Sequence, residues 1–313
     1  MNTIYLRRYI IIFMSILQIC SLHSLNVHAF PIYAQQGYDD PREATGRIVC
    51  ANCHLAEKPV SIEVPKAVLP NSVFEAKVNI PYPDNIQQPL PNGKLGGLNT
   101  GAILILPEGF KLAPKNLISD ELKNKTKNFY IQPYSTSKDN ILLIGPLGGI
   151  NNKEIIFPIL SPDPNKDKNI NFLKYPIYVG ANRGRGQIYP TGDKSNNNPI
   201  SALYNGKVKE VTQSETGEFN INIEKNNGDI YTEKIPSTLK LKISEGSNIL
   251  ANQNITNDPN VGGFGQNETE IVLQNPARIK GMIAFFVAVT VSQIFFVLKK
   301  KQWEKVQASE MNF

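Results

Sequence analysis

Gly281 to Leu298 is an uncharged, mostly apolar run that gives way at once to Lys299, Lys300, Lys301 and Lys305. At about 1.5 Å per residue this stretch covers roughly 27 Å as a helix, the thickness of a bilayer core. A buried helix of a water-soluble protein seldom ends in a lysine cluster at the chain terminus. The lysines favour the untranslocated side of a membrane, and Trp303 among them suits the interface. Residues 280–299 are therefore expected to span the membrane, with 300–313 left behind as a tail. The opposite end has Arg7 and Arg8, an apolar stretch from Tyr9 to Ile19, and a small residue closing Val27-His28-Ala29. That layout predicts a signal peptide over 1–29, too short in its apolar part to span a bilayer, with cleavage after Ala29. The bulk of the chain is then exported.

The charge changes once these ends are set aside. The whole chain has 33 basic and 27 acidic side chains, a formal +6. Two arginines belong to the signal peptide and four lysines and two glutamates to the tail, so the exported part is nearly neutral. Nucleic acid is not an expected partner. Charged residues make up only 19% of the chain, too few for a disordered polyelectrolyte, and three cysteines are too few for a disulfide scaffold.

Within the exported part stands Cys50-Ala51-Asn52-Cys53-His54, the spacing of c-type haem attachment. Two thiols three positions apart can each add to a haem vinyl group, and the adjacent histidine can then ligate iron from below the ring. Structural zinc needs four ligands, and no other Cys or His remains after cleavage. A thioredoxin-like pair would want a βαβ setting and no immediate histidine. One covalently bound haem c is the expected cofactor, with Cys50 and Cys53 holding it and His54 as an axial ligand. Upstream, Asp40-Pro41-Arg42-Glu43 has the pattern of a helix start, with Asp as cap and Pro at the first position. It predicts a short helix running towards the cysteine pair.

The second axial position is unusual. His54 is the only histidine left after cleavage, and the remaining methionines lie in the span and the tail. Three options stand. The iron is open, as in a sensor or peroxidase; or a Lys or Tyr binds; or the new α-amino group of Phe30 reaches back. An α-amine, with an ordinary pKa of about 7.7–8.0, is easier to deprotonate than a lysine at about 10.4. The terminus is thus favoured over lysine, while the open site stays in play.

Several segments resemble the cytochrome f family of oxygenic photosynthesis. They are Phe30-Pro31-Ile32-Tyr33-Ala34-Gln35-Gln36-Gly37-Tyr38, the run from Pro41 to Val49 into the haem motif, and Asn182-Arg183-Gly184-Arg185-Gly186-Gln187. Asn257-Asp258-Pro259-Asn260, Val261-Gly262-Gly263-Phe264-Gly265 and Gln274-Asn275-Pro276-Ala277-Arg278 complete the set. The resemblance implies that the Phe30 amine is the sixth ligand and His54 the fifth. It implies a buried water chain leading from the haem, lined here by Gln88, Asn182, Arg185, Gln187 and Asn197. It also implies an electron carrier rather than an enzyme, taking single electrons from the Rieske iron–sulfur protein and passing them to plastocyanin or a soluble c-type cytochrome. The implied setting is the cytochrome b6-f complex, with cytochrome b6, subunit IV and small subunits, in a plastid or cyanobacterial thylakoid membrane with the bulk of the chain in the lumen. Phe stands first where many members have Tyr. Asn92-Gly93-Lys94-Leu95 stands where many have a Lys-Lys pair, leaving Lys94 and Lys207 as candidate docking charges.

The exported part reads as all-β. Ala102 to Leu106, Ile141 to Ile144, Ile155 to Leu160 and Ile177 to Val179 are short apolar runs bounded by Pro, Gly or polar residues. Phe219, Ile221 and Ile223 alternate with polar residues, and Asn227-Gly228 predicts a hairpin into Asp229 to Ile235. The expected architecture is an elongated two-domain lumenal part followed by the C-terminal transmembrane helix. A large haem-bearing β-sandwich takes 30–198 and 261–279, interrupted by a small β domain over 199–260.

Overall fold

The computed structural model describes residues 32–148 and 152–311. The expected signal peptide, over 1–29, and Phe30 lie outside the described residues. Strands dominate, and a single long apolar helix ends the chain.

A six-stranded sheet runs in the order Ala67–Val68, Gly263–Leu273, Lys174–Arg183, Asn99–Ile105, Lys138–Gly148, Ile131–Ser135. A four-stranded sheet runs Ser61–Glu63, Val73–Asn79, Glu154–Leu160, Lys111–Leu112. Phe74, Ala76 and Val78 alternate inward along one strand, and Phe157 and Ile159 do so on its neighbour. They share a core with Ala102, Leu104, Leu142, Ile144, Ile177 and Val179 of the larger sheet. This is the sandwich expected from the sequence, sealed by the alternation of side chains across each strand.

The larger sheet is also covered on its outer face. Ile103, Ile141 and Leu143 point away from the sandwich core and pack with Ile48, Tyr134 and Phe264, with Ala34, Cys50 and Ala51 against them. Burial on both faces is why Ala102 to Leu106 and Ile141 to Ile144 are unbroken apolar runs instead of alternating ones. The cover on that outer face is the segment that carries the cysteines.

A second four-stranded sheet, Ile230–Ile235, Phe219–Lys225, Gly206–Gln213, Asn248–Ile249, has its own core of Val208, Ile221, Ile223, Ile235, Leu239 and Ile255. The Asn227-Gly228 turn lies where the sequence predicts it, with Gly228 at φ +88° and its amide bonded to Lys225 O at 3.0 Å. A two-stranded hairpin pairs Gln87–Pro89 with Leu95–Gly97.

The terminal helix covers Pro276–Glu310. Asn275 caps it, its side-chain oxygen accepting from Ala277 N at 2.9 Å, and Pro276 takes the first turn, where a missing N–H costs nothing. None of its residues is buried, and it is long and apolar enough to cross a membrane. The helix extends past the expected span at both ends.

One local expectation fails. No helix starts at Asp40. Arg42 pairs with Ile48 in an antiparallel bridge, and Gly46, at φ +85°, turns the chain between them. Glu43 N donates to Arg47 O and Gly46 N to Glu43 O, both at 2.8 Å, so the backbone is satisfied by a tight turn. The Arg42 guanidinium lies over the Tyr178 ring, 3.7 Å from its centroid, drawing the residue to the sheet. Only a single 3-10 turn, Val49–Asn52, remains.

Candidate functional site

The 3-10 turn is what brings the two thiols together. Ala51 N donates to Ile48 O at 3.1 Å, Cys53 N to Cys50 O at 3.2 Å, and His54 N to Cys50 O at 3.0 Å. Cys50, Cys53 and His54 thus leave one compact turn. The turn is held from three directions. Val49 N donates to Pro41 O at 2.9 Å, and Ile48 N to Gln266 Oε1 at 2.9 Å. On the far side Cys53 O accepts from Gln187 N at 2.7 Å, and Leu55 N donates to Gln187 Oε1 at 2.9 Å. Gly186 is small for a reason: an added Cβ would lie 3.1 Å from Cys53 O.

The donor set fits a covalent haem. Both thiols are free. Burial pushes the Cys50 thiol up to about 12 and raises that of Cys53, so both are protonated near neutral pH, unlike a redox nucleophile. Burial of the His54 ring pushes its pKa down to about 4, keeping the imidazole neutral and able to ligate metal. One ring nitrogen, Nε2, lies 3.2 Å from Asn182 Nδ2, while Nδ1 is sealed from solvent with no protein partner. Asn182 therefore fixes the ring plane, and a metal at either nitrogen would leave the other for a polar partner. Among the described residues no group of three or more His, Cys, Asp or Glu side chains could hold a metal ion on its own.

The five polar residues expected to line a water chain fall into two places. Asn182 stands at His54. Gln88, Gln187 and Asn197, all buried, gather round the backbone of Arg185. Arg185 N donates to Gln88 Oε1 at 2.8 Å, and its carbonyl accepts from Asn197 Nδ2 at 3.0 Å and Gln187 Nε2 at 3.2 Å. The Arg185 guanidinium reaches outward to Pro89 O, Asn196 Oδ1 and Tyr189 Oη. Asn197 Oδ1 is buried with no protein hydrogen-bond partner.

The two candidate docking lysines are both exposed. Lys94 sits in the two-stranded hairpin, its amide held by Asn92 Oδ1 at 3.1 Å. Lys207 lines an open cleft of about 520 Å³ on the second four-stranded sheet, with Lys225, Glu224 and Asn248. No hydrogen bond or ion pair joins the two lysines among the described residues.

Sequence reasoning missed several residues that the structure brings in. Asn260 Oδ1 lies 3.4 Å from Asn197 Nδ2 and accepts from Gly262 N, extending the polar cluster. Gln266 bridges Ile48 N and Gly46 O from a strand over two hundred residues away. Arg183 is 2% exposed, its guanidinium donating to Pro81 O at 2.9 Å and Pro59 O at 2.7 Å. Asn260 and Arg183 stand in segments the sequence singles out, though with no role attached, while Gln266 had no signal.

A β-sandwich with a Cys-x-x-Cys-His turn on its outer face and one apolar helix at its end defines a class of anchored haem-attachment proteins. The chain belongs to the cytochrome f family. Residues 30–184 match the family described as "Apocytochrome F, N-terminal" and residues 196–313 the one described as "Apocytochrome F, C-terminal". Cytochrome f of Gracilaria tenuistipitata var. liui is 69% identical over 304 residues, 97% of this chain and 98% of that one. Cytochrome f of Porphyra purpurea is 65% identical, covering 96% and 94%. That of Chlorokybus atmophyticus is 61% identical, covering 91% and 89%.

Proposed function

We propose that the chain is a membrane-anchored c-type cytochrome that carries single electrons. The observation that carries this reading is the turn itself: two free thiols and a buried, neutral imidazole leave one 3-10 turn. Cys50 and Cys53 would hold one haem c through thioethers, and His54 would ligate its iron. When bound, the haem supplies a one-electron couple. The Phe30 amine would supply the second protein ligand to the iron, which suits a carrier because a fully ligated iron excludes small ligands. The protein's own work is to orient His54 through Asn182, to shield the attachment turn against the outer face of the sheet, and to hold water along Gln88, Arg185, Gln187, Asn197 and Asn182. No bond-making chemistry is assigned to it.

The donor in this reading is the Rieske iron–sulfur protein and the acceptor plastocyanin or a soluble c-type cytochrome, with Lys94 and Lys207 facing the acceptor. The chain works within the cytochrome b6-f complex, beside cytochrome b6, subunit IV and the small subunits. Export across a plastid or cyanobacterial thylakoid membrane puts residues 30–279 in the lumen, the span at 280–299 and the tail on the stromal side. We assign 30–198 and 261–279 to one haem-bearing domain and 199–260 to a second. The separate core of the second sheet, and the return of the strand Gly263–Leu273 to the six-stranded sheet, support this division.

A potentiometric titration of the detergent-solubilised chain, followed in the visible haem bands, tests the reading. A single reversible one-electron wave with a low-spin spectrum at both ends is expected. A high-spin spectrum, or no covalent haem, would overturn it.

A further inference from the structure

The helix Ile32–Gly37 begins two residues after Phe30, has only six residues and buries none of them. A helix so short has no stability of its own. Something else must hold it, and the contacts are specific. The Tyr134 hydroxyl lies 2.7 Å from Ala34 O and 2.6 Å from Tyr38 O, its one proton shared between two carbonyls at the end of the helix. In return Gln35 Nε2 donates to the Tyr134 carbonyl at 2.7 Å. Helix and strand Ile131–Ser135 are thus clamped to each other through one residue, in both directions. The same tyrosine is 3% exposed and packs in the cluster that contains Ala34, Cys50 and Ala51. Asn52, inside the haem motif, adds a bond from Nδ2 to Tyr38 Oη at 3.1 Å.

We propose that Tyr134, seconded by Gln35, is the positioning residue for the second axial ligand: it docks the N-terminal helix beside the attachment turn so that the Phe30 amine is delivered to the iron. The inference rests on the reading that Phe30 is that ligand. Its physical basis is effective concentration. Some twenty residues separate Phe30 from Cys50, and a flexible tether of that length presents an amine at only about millimolar concentration. Fixing the intervening helix removes most of that freedom before the ligand bond forms. Tyr134 touches neither ligand nor iron in this account, and acts through the helix.

The test uses the processed full-length chain in detergent, reduced, with carbon monoxide as a competitor for the axial site. Tyr134→Phe keeps the ring and removes only the hydroxyl; Gln35→Ala removes the reciprocal bond from a partly exposed side chain. Each is expected to raise the carbon monoxide-bound fraction at limiting gas by about five- to tenfold, the worth of one hydrogen bond of this kind. Haem content should be unchanged, and amide hydrogen exchange across residues 32–38 should quicken by a similar factor. A merely structural tyrosine would lower the melting temperature and leave carbon monoxide binding as in the parent. A third sample, left uncut at Ala29, separates the two claims. If the uncut form takes no more carbon monoxide than the processed parent, Phe30 is not the ligand and the underlying reading falls. If the uncut form takes the gas and neither substitution does, the positioning role alone is refuted. Should Tyr134→Phe fail to fold, the Gln35→Ala result decides.

Discussion

Gly265→Ala should be among the most damaging one-carbon changes available to this chain. Gly265 lies in the strand Gly263–Leu273, paired with Ala181, where residues 56–58 cross it on the way out of the haem motif. A Cβ built there falls inside the van der Waals surface of the Lys58 carbonyl oxygen, 2.9 Å from Val60 Cγ2 and 3.1 Å from Lys58 C. The obstacle is backbone, which cannot swing aside as a flexible side chain can. The crossing segment must retreat, and that breaks Lys58 N to Phe264 O at 2.9 Å and Phe264 N to Ala56 O at 2.8 Å. Two lost backbone hydrogen bonds together with overpacking come to about 3–5 kcal/mol. For a fold of this size that is a fall in melting temperature of about 10 °C. Circular dichroism of the detergent-solubilised chain would measure it, with Gly97→Ala as the control. Gly97 lies in an exposed hairpin where an added Cβ meets nothing within 4 Å, and it should stay within about 1 kcal/mol of the parent. Equal melting of the two variants would refute the close-crossing argument.

Other outcomes follow from the same contacts. Cys53→Ala should leave one thioether and weaker haem staining after denaturing electrophoresis, and loss of both Cys50 and Cys53 should abolish it. Ile221→Ala, fully buried in the core of the second sheet, should cost about 2–5 kcal/mol there; hydrogen exchange should show that sheet opening while the haem spectrum is unchanged. Ser119 caps the helix Asp120–Thr126, its Oγ accepting from Leu122 N at 3.3 Å, so Ser119→Ala should cost about 1 kcal/mol in thermal melts.

What the sequence revealed and what it hid divide along local and long-range physics. Cys50, Cys53 and His54 stand out in the sequence because haem attachment would fix their spacing within one turn. The terminal span is legible because hydrocarbon tolerates no charge over that length. The strand runs at 102–106 and 141–144 could be found, but their lack of alternation had no explanation until the haem-motif segment was seen on the outer face of the sheet. The Asp40 helix was misread because a cap pattern is satisfied equally by a tight turn, and Gly46 with the Arg42–Tyr178 stacking decided for the turn. Tyr134 and Gln266 were invisible. Their partners lie about one hundred and over two hundred residues away, and nothing in a tyrosine or glutamine by itself marks it as a clamp.

The central claim is that the iron of the processed chain has both axial positions filled, by His54 and by the amine of Phe30. An absorption spectrum of the reduced protein, with and without carbon monoxide, tests it most directly. The account predicts a low-spin spectrum that the gas leaves unchanged. A shift on adding carbon monoxide at full haem content would contradict it and put an open-iron sensor or peroxidase in its place.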